Sequence, residues 1–333
     1  FSYFKSVYRR HTNFSMECIE QTVNTVPSST SFKLDYEIVK SGDLLNKMHI
    51  EIDLPEQDIK NGGSGDGSDY LSYVNNTAFS YIKDIELYIG EKLIDKHNGK
   101  WYDILNVLDH KDGSGIDYIV NRLSAGIPET NDQPARTKLY IPLHFWFCKD
   151  ISQSLPLIAL QYHKVRLILN FRSIKGIINR KPIGDVTGAD KDIPKSPTIK
   201  LWGNYILLDK DERKRFSQSH HEYLIEQLQI VEKRYRPVID IKLNHPVKCL
   251  YWTIQSDIVN VENETYSGIN SKDNIEPLSI DSGRKTWTNS NDYLNYQTEL
   301  IDNPSYIRGL TFDHFKEATI MFNGIERFKP REA

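Results

Sequence analysis

The sequence predicts an all-β protein made of two consecutive β-sandwiches. Short segments of alternating apolar and polar residues, rich in Tyr, Phe, Ile, Val and Thr, recur along the chain and are separated by turn-forming residues. The length of 333 residues is sufficient for two cores, at about 100–200 residues each. Three segments of the first half also return in the same order in the second half, which indicates a duplicated fold.

The repeated segments are predicted strands. Residues 13–22 (NFSMECIEQT), 44–54 (LLNKMHIEIDL) and 84–95 (DIELYIGEKLID) correspond to 222–231 (EYLIEQLQIV), 247–257 (VKCLYWTIQSD) and 318–328 (ATIMFNGIERF). Both members of the third pair run into a glycine, Gly90 or Gly324, and then resume, a pattern typical of a hairpin. Chance similarity between short strands is the alternative for each pair alone. The shared order and spacing favour a repeat.

Composition excludes several classes of function. The net charge of −3 argues against a dedicated nucleic-acid-binding protein. The most apolar stretch, residues 141–169, is interrupted by charged residues, so no segment reaches the ~20 apolar residues of a membrane-spanning helix. The three cysteines, Cys18, Cys148 and Cys249, lie far apart and indicate neither a disulfide framework nor a zinc site. We expect reduced thiols and no cofactor.

The segments between the strands differ in character. Residues 61–69 contain four glycines and no apolar side chain, and they predict a flexible loop. Trp101, Ile104, Leu105 and Leu108 follow helical spacing, which predicts one short amphipathic helix whose apolar stripe packs on the core. Residues 175–196 carry glycines, prolines and charges, as a long surface loop does.

The boundary between the two halves follows a predicted strand at 201–209. Residues 211–216 (DERKRF) place acidic residues ahead of basic ones, which suits a short helical turn. DNA contact by Arg213, Lys214 and Arg215 is the alternative, but a solvated face with acidic partners is the favoured interpretation. We therefore expect a first domain at 1–215 and a second at 216–333.

The tract 139–171 is the most apolar part of the chain. Large apolar residues crowd both faces of its beginning (LYIPLHFWFCKD), which predicts a strand buried at the centre of a sandwich, with Pro142 near a strand start or edge. Its end alternates strictly. Val165, Leu167, Leu169 and Phe171 share one predicted core face, while Arg166, Ile168 and Asn170 share the other.

Periodicity alone does not separate a jelly roll from an immunoglobulin-like sandwich, but the motifs do. Residues 4–17, 41–45, 89–101 and above all 139–171 resemble the major capsid protein of the nucleocytoplasmic large DNA viruses, and segments of the second half, such as 201–216 and 318–328, continue the resemblance. The positions that carry it are Arg9, Arg10, His11, Asn13, Phe14, Gly42, Asp43, Gly90, Gly99, Trp101, Pro142, Phe145, Trp146, Phe147, Leu155, Pro156, Leu157, Val165, His245, Pro246, Asn323, Gly324 and Arg327.

The resemblance implies two tandem jelly rolls and a structural role in an icosahedral capsid. In that family three copies form a pseudo-hexagonal capsomer, so the expected partners are further copies of the chain, minor capsid proteins and the inner viral membrane, without sequence-specific nucleic-acid binding. The expected location is the virion, with assembly in the host cytoplasm. Arg9, Arg10 and His11 are expected to make structural contacts near the capsomer base rather than to bind phosphate.

Compared with the family, the sequence lacks an amino-terminal arm before Phe1 and the tract that completes the second jelly roll after Ala333. We therefore expect the second jelly roll to be incomplete here and the gene to continue for about 100 residues.

No catalytic pattern is found, and we expect no enzymatic activity. The group closest to a metal site is His220, His221 and Glu222, but adjacent histidines on a strand point to opposite faces and chelate poorly. A carbohydrate-binding or carbohydrate-active sandwich is the alternative from another class, with Trp202, Trp252 and Trp287 stacking on sugars. A viral membrane-scaffold protein is a third possibility, close to the first.

Overall fold

The computed structural model describes residues 12–23, 33–55, 70–73, 77–109, 137–181, 196–234, 236–254, 317–322, 324–327 and 331–332. The strands in these ranges are β1 Phe14–Gln21, β2 Lys33–Glu37, β3 Leu44–Leu54, β4 Tyr70–Tyr73, β5 Ile82–Ile89, β6 Lys92–Asn98, β7 Thr137–Pro142, β8 Leu155–Pro156, β9 Val165–Phe171, β10 Ile178–Lys181, β11 Thr198–Leu208, β12 Glu317–Ala318, β13 Met321–Phe322, β14 Ile325–Glu326 and β15 Arg331–Glu332. The α-helices are α1 Thr77–Tyr81, α2 Gly99–Asp109, α3 Trp146–Lys149 and α4 Lys210–Gln218.

A five-stranded and a four-stranded antiparallel sheet organise the described part of the first 208 residues. One sheet has the order β1-β11-β3-β7, with the short β8 also paired to β3, and the other has the order β2-β9-β5-β6. Counting these eight principal strands along the chain, the sheets contain strands 1-8-3-6 and 2-7-4-5. This wiring, in which the first and last strands are neighbours, is that of a jelly roll. The first half is therefore a jelly-roll sandwich, as expected.

The inner faces of the two sheets form one apolar core. On β3, Ile50, Ile52 and Leu54 are fully buried. On β9, Val165, Leu167, Leu169 and Phe171 are buried, which confirms the predicted core face, while Ile168 on the other face is also buried. Alternation along strands of two packed sheets explains this pattern.

All three strand segments of the first repeat are confirmed. Residues 14–21 form β1, residues 44–54 form β3, and β5 and β6 form the hairpin predicted around Gly90. Gly90 has a φ of 62°, which a residue with a side chain adopts at a cost. Glycine is therefore favoured at this turn.

Helix α2 is confirmed at the predicted place, but its predicted apolar stripe is only partly buried. The side chains that face the core are Tyr102 and Asp103, whereas Trp101, Ile104 and Leu105 are half-buried and Leu108 is 55% exposed. An apolar periodicity identified the helix but not its inner face, because the inward side chains are a tyrosine and an aspartate.

The prediction of a buried strand across residues 139–150 is wrong beyond Pro142. Strand β7 ends at Pro142 on the edge of its sheet, which confirms the expected position of this proline. Phe145 and helix α3 follow, and Phe145, Trp146 and Phe147 are all buried. The apolar residues crowd both faces because a short helix and its approach lie inside the core.

The predicted surface loop at 175–196 is wrong at its start. Residues 174–177 form a 3-10 turn, and β10 follows and pairs with β4. Residues 182–195, and the glycine-rich 61–69, lie outside the described residues.

The second half follows the predictions less closely. Helix α4 confirms the expected helical turn and extends it in both directions. Residues 222–231 and 247–254 form no strand, so these two repeat predictions are wrong for the described part of the chain. The third segment does form a hairpin, β13 and β14, with Gly324 at a φ of 78°. A segment becomes a strand when the backbone of a neighbouring strand satisfies its own backbone. Each described hydrogen bond from residues 222–231 to other parts of the chain instead involves a side chain on at least one side.

Candidate assembly surfaces

An ion pair between the exposed Arg213 and the buried Asp43 connects the two halves. The Arg213 Nε donates to Asp43 Oδ1 at 2.9 Å and its Nη2 donates to Asp43 Oδ2 at 3.0 Å, and the backbone N–H of Leu208 also donates to Oδ2. Asp43 is buried, so the forked geometry of the guanidinium satisfies a carboxylate that water cannot reach. Arg213 is exposed and has an acidic partner, in agreement with the favoured interpretation, and this partner lies outside α4.

Glycines permit close packing on both sides of the sandwich. A Cβ on Gly42 would lie 2.8 Å from the Cβ of Tyr205, and a Cβ on Gly99 would lie 2.1 Å from the backbone oxygen of Phe79. The Asn98 side chain accepts from the Trp101 N–H at 2.8 Å and caps the start of α2. These motif positions serve the packing of the sandwich.

The remaining motif residues of the long tract are also structural. Leu155, Pro156 and Leu157 are buried, and Pro156 is opposite Leu44 where β8 pairs with β3. Phe145 stacks on His97 with ring centroids 4.6 Å apart. The structure thus brings these residues together in the core and not in a cleft.

The outer positions of the predicted site are dispersed. Asn13 and Phe14 lie exposed at the start of β1, with Phe14 60% exposed, while Arg9, Arg10 and His11 lie outside the described residues. In the second half His245 and Pro246 are exposed, and the Arg327 N–H donates to the Ile320 carbonyl at 3.0 Å. Asn323 lies outside the described residues.

An apolar row on the edge strand β1 is one candidate contact surface. Phe14, Met16 and Cys18 alternate along β1, point to the same side of the sheet and are exposed. Strand β1 is at the end of its sheet, paired with β11 alone among the described strands. An exposed edge with apolar side chains is a site where another chain can add.

A second candidate surface lies on the outer face of the same sheet. His49 stacks on Trp202 and lies beside Tyr140, with centroid separations of 6.3 Å and 6.2 Å. The Trp202 N–H donates to Glu51 at 2.9 Å, and Lys138 pairs with the other Glu51 oxygen. Partial burial lowers the pKa of His49. His49 thus covers one face of the Trp202 ring, which reduces the surface that the ring could offer to a sugar.

A third surface joins the halves. We name residues 222–229 the strap, because they contact both β6 and α3. Ile225 packs against the core, the Tyr223 hydroxyl donates to the Ser154 carbonyl at 3.3 Å, and Glu226 pairs with Lys149 and Lys248. These two lysines hold the pKa of Glu226 at about 2. Beyond the strap, Tyr251 contacts Trp101 with ring centroids 5.3 Å apart.

His220, His221 and Glu222 form the group that the sequence places closest to a metal site. The His220 ring lies 3.2 Å from the Glu222 carboxylate, and the His221 ring contacts the Phe216 carbonyl. The prediction that these histidines lie on a strand is wrong, because residues 220–222 belong to no strand. Across the described ranges, no group of three His, Cys, Asp or Glu side chains could hold a metal ion.

No helix in the described ranges is long and apolar enough to cross a membrane. Trp252 is 53% exposed, and Trp287 lies outside the described residues.

Comparisons with known proteins agree with the jelly-roll wiring. The family described as "Major capsid protein N-terminus" matches residues 2–209, and the family described as "Large eukaryotic DNA virus major capsid protein" matches residues 212–333. The chain belongs to the major capsid proteins of large eukaryotic DNA viruses. This family assignment confirms the resemblance carried by the motifs, and the boundary between the two matches lies beside the predicted boundary at 215.

Individual relatives give the same result. The major capsid protein of Pyramimonas orientalis virus is 37% identical over 75% of this chain and 59% of its own length. That of Paramecium bursaria Chlorella virus 1 is 35% identical over 75% of this chain and 55% of its own length. The chain thus spans somewhat over half the length of these two curated relatives.

A solved structure extends the likeness to the second half. The quasi-atomic structure of the PBCV-1 virus capsid is 30% identical, covers 99% of this chain and 74% of its own chain, and has a TM-score of 0.67. The predicted all-β fold of tandem jelly rolls is therefore confirmed.

Proposed function

We propose that the complete protein is a structural subunit of an icosahedral viral capsid and has no enzymatic activity. The observation that carries this proposal is the match to the PBCV-1 capsid structure across 99% of the chain. The family in which the chain is placed is one of structural capsid proteins, and two sandwiches in one chain supply two similar blocks for a shell.

The finer proposal concerns assembly. Three copies, each contributing two jelly rolls, form a ring with approximate six-fold symmetry, in which the first domain of one chain meets the second domain of the next. Such permanent interfaces commonly bury about 2,000–5,000 Å² and are apolar at their centres. The exposed apolar row on β1 supplies a surface of that chemistry. Minor capsid proteins and the inner viral membrane are the proposed further partners, with assembly in the host cytoplasm.

Electron microscopy of the purified full-length protein tests this proposal. We expect trimeric particles with a pseudo-hexagonal outline. Isolated monomers with glycan-dependent activity would contradict the proposal and favour the carbohydrate-binding alternative. Particles that form a lattice on membranes and are absent from finished virions would favour a scaffold.

A further inference from the structure

A polar triad is buried between β6 and α2. Asp95, His97 and Tyr102 are each no more than 4% exposed. The His97 Nε2 lies 3.0 Å from Asp95 Oδ2, and its Nδ1 lies 3.4 Å from the Tyr102 hydroxyl. A neutral histidine satisfies both contacts, with Nε2–H donating to the carboxylate and Nδ1 accepting from the tyrosine. Burial raises the pKa of Tyr102 well above its ordinary value, so the hydroxyl keeps the proton it donates.

The second carboxylate oxygen of Asp95, Oδ1, has hydrogen-bond partners outside the triad. Asp95 Oδ1 accepts from the backbone N–H of Lys96 at 2.9 Å and from that of Leu228 at 3.0 Å. Leu228 belongs to the strap, and the adjacent Gln227 side chain donates to the Ile94 carbonyl. One carboxylate therefore links the core of the first jelly roll to the chain that begins the second half.

Among the described contacts of the strap that involve a charged group, the hydrogen bond to Asp95 is the best shielded from water. The ion pairs of Glu226 with Lys149 and Lys248 join side chains that are 44–77% exposed, and pairs of that kind contribute little. Asp95 is instead a buried carboxylate, and hydrogen bonds to charged groups are among the stronger ones in proteins. A bond of this type on the backbone of the strap fixes its register as well as its proximity.

We propose that Asp95, held in place by His97 and Tyr102, is a positioning residue that docks the strap in one register and thereby sets how the second half leaves the first jelly roll. This inference rests on the proposed function, because a fixed exit direction matters for a subunit that must present two domains to its neighbours. It assigns to three buried polar residues a role that packing alone does not require, since apolar residues would fill the same space at lower cost.

Hydrogen exchange of the full chain tests the proposal with two independent variants. Asp95→Asn keeps the size of the side chain and removes its charge, and we expect exchange at the Leu228 amide to accelerate at least about ten-fold. Leu228→Pro removes the N–H on the strap side and leaves the triad untouched, and we expect the flanking strap amides to lose protection. Amides of β3 and β9 serve as internal references for the sandwich and should keep their exchange rates in Leu228→Pro.

The matched control is Leu224→Pro. Leu224 lies on the same strap but is 95% exposed, so this change should leave the protection at Leu228 unchanged. Wild-type protection in Leu228→Pro, or equal losses in Leu224→Pro and Leu228→Pro, would overturn the proposal, including in the case that Asp95→Asn does not fold. The measurement reports on a single chain, so a failure of the full-length protein to form trimers would count against the proposed function alone.

Discussion

At the scale of single residues, the choice of amino acid is most restricted where a glycine packs directly against backbone atoms of another segment. Gly99 starts α2 against the turn that ends α1, and an added Cβ would lie 2.1 Å from the Phe79 oxygen and 2.7 Å from the Ile82 oxygen. Gly203 on β11 is different, because its Cβ would meet the end of a flexible leucine side chain at 3.1 Å. An added methyl group would therefore be tolerated less well at Gly99 than at Gly203.

We expect Gly99→Ala to lower the free energy of unfolding by about 3 kcal/mol, because backbone atoms must move to admit the methyl group. Gly203→Ala is the matched control and should cost less, since a side-chain methyl of Leu45 at 3.1 Å has to shift less than the backbone atoms around Gly99. Urea denaturation of both variants measures the difference. Equal losses would show that close backbone contact at Gly99 does not set its cost.

Buried hydroxyl and thiol groups make stability sensitive to alkaline pH. Burial raises the pKa of Tyr36, Tyr205 and Cys148 to about 12, from ordinary values of 10 for tyrosine and 9 for the thiol. The folded state therefore retains protons that the unfolded state loses. Their contribution to stability is fully present below pH 9 and falls as the pH rises to about 12, by up to about 1.4 kcal/mol per pH unit for each group.

Tyr205→Phe should make the pH dependence of unfolding shallower between pH 10 and 12, although the variant loses the hydroxyl contacts with Val39 and Gln21 at 2.7 and 2.9 Å. Denaturant titrations at a series of pH values measure the slope. Tyr162→Phe is the control, because Tyr162 is 93% exposed. A slope in Tyr205→Phe equal to that of the unmodified protein would contradict the assignment.

At the scale of elements, alternation and turn residues predicted the strands that have a partner in the sandwich. Strands β1, β3, β5, β6 and β9 were predicted because period-two alternation and Gly90 are local signals. The segment after Pro142 was mistaken for a strand because a buried helix and a buried strand give the same apolar run when the run is short. The Asp95, His97 and Tyr102 triad was missed, since only the fold brings β6, α2 and the strap together.

The contact between α4 and the start of β3 yields an element-scale prediction. Arg213→Lys keeps the charge but loses the forked geometry toward Asp43, and we expect a loss of about 1–2 kcal/mol in unfolding free energy. Lys214→Ala, an exposed change on the same helix, is the control and should stay within about 0.5 kcal/mol of the unmodified protein. If both variants have the stability of the unmodified protein, the ion pair does not anchor α4.

At the scale of the whole molecule, the proposed trimer couples unfolding to dissociation. Three folded chains in one complex separate into three unfolded chains, so mass action stabilises the complex by about 0.9 kcal/mol per chain for each tenfold rise in protein concentration. We therefore expect the melting temperature of the full-length protein to rise with concentration, and sedimentation to show a trimer before the transition.

The exposed apolar row on β1 allows a test by mutation, because Phe14 and Met16 are exposed in the single chain. If β1 lies in the interface, the double variant Phe14→Ser, Met16→Ser should associate more weakly. The single variant Tyr162→Phe is the control and should associate normally. A melting temperature independent of concentration, together with monomers at every concentration, would contradict the trimer and weaken the capsid function on which it depends.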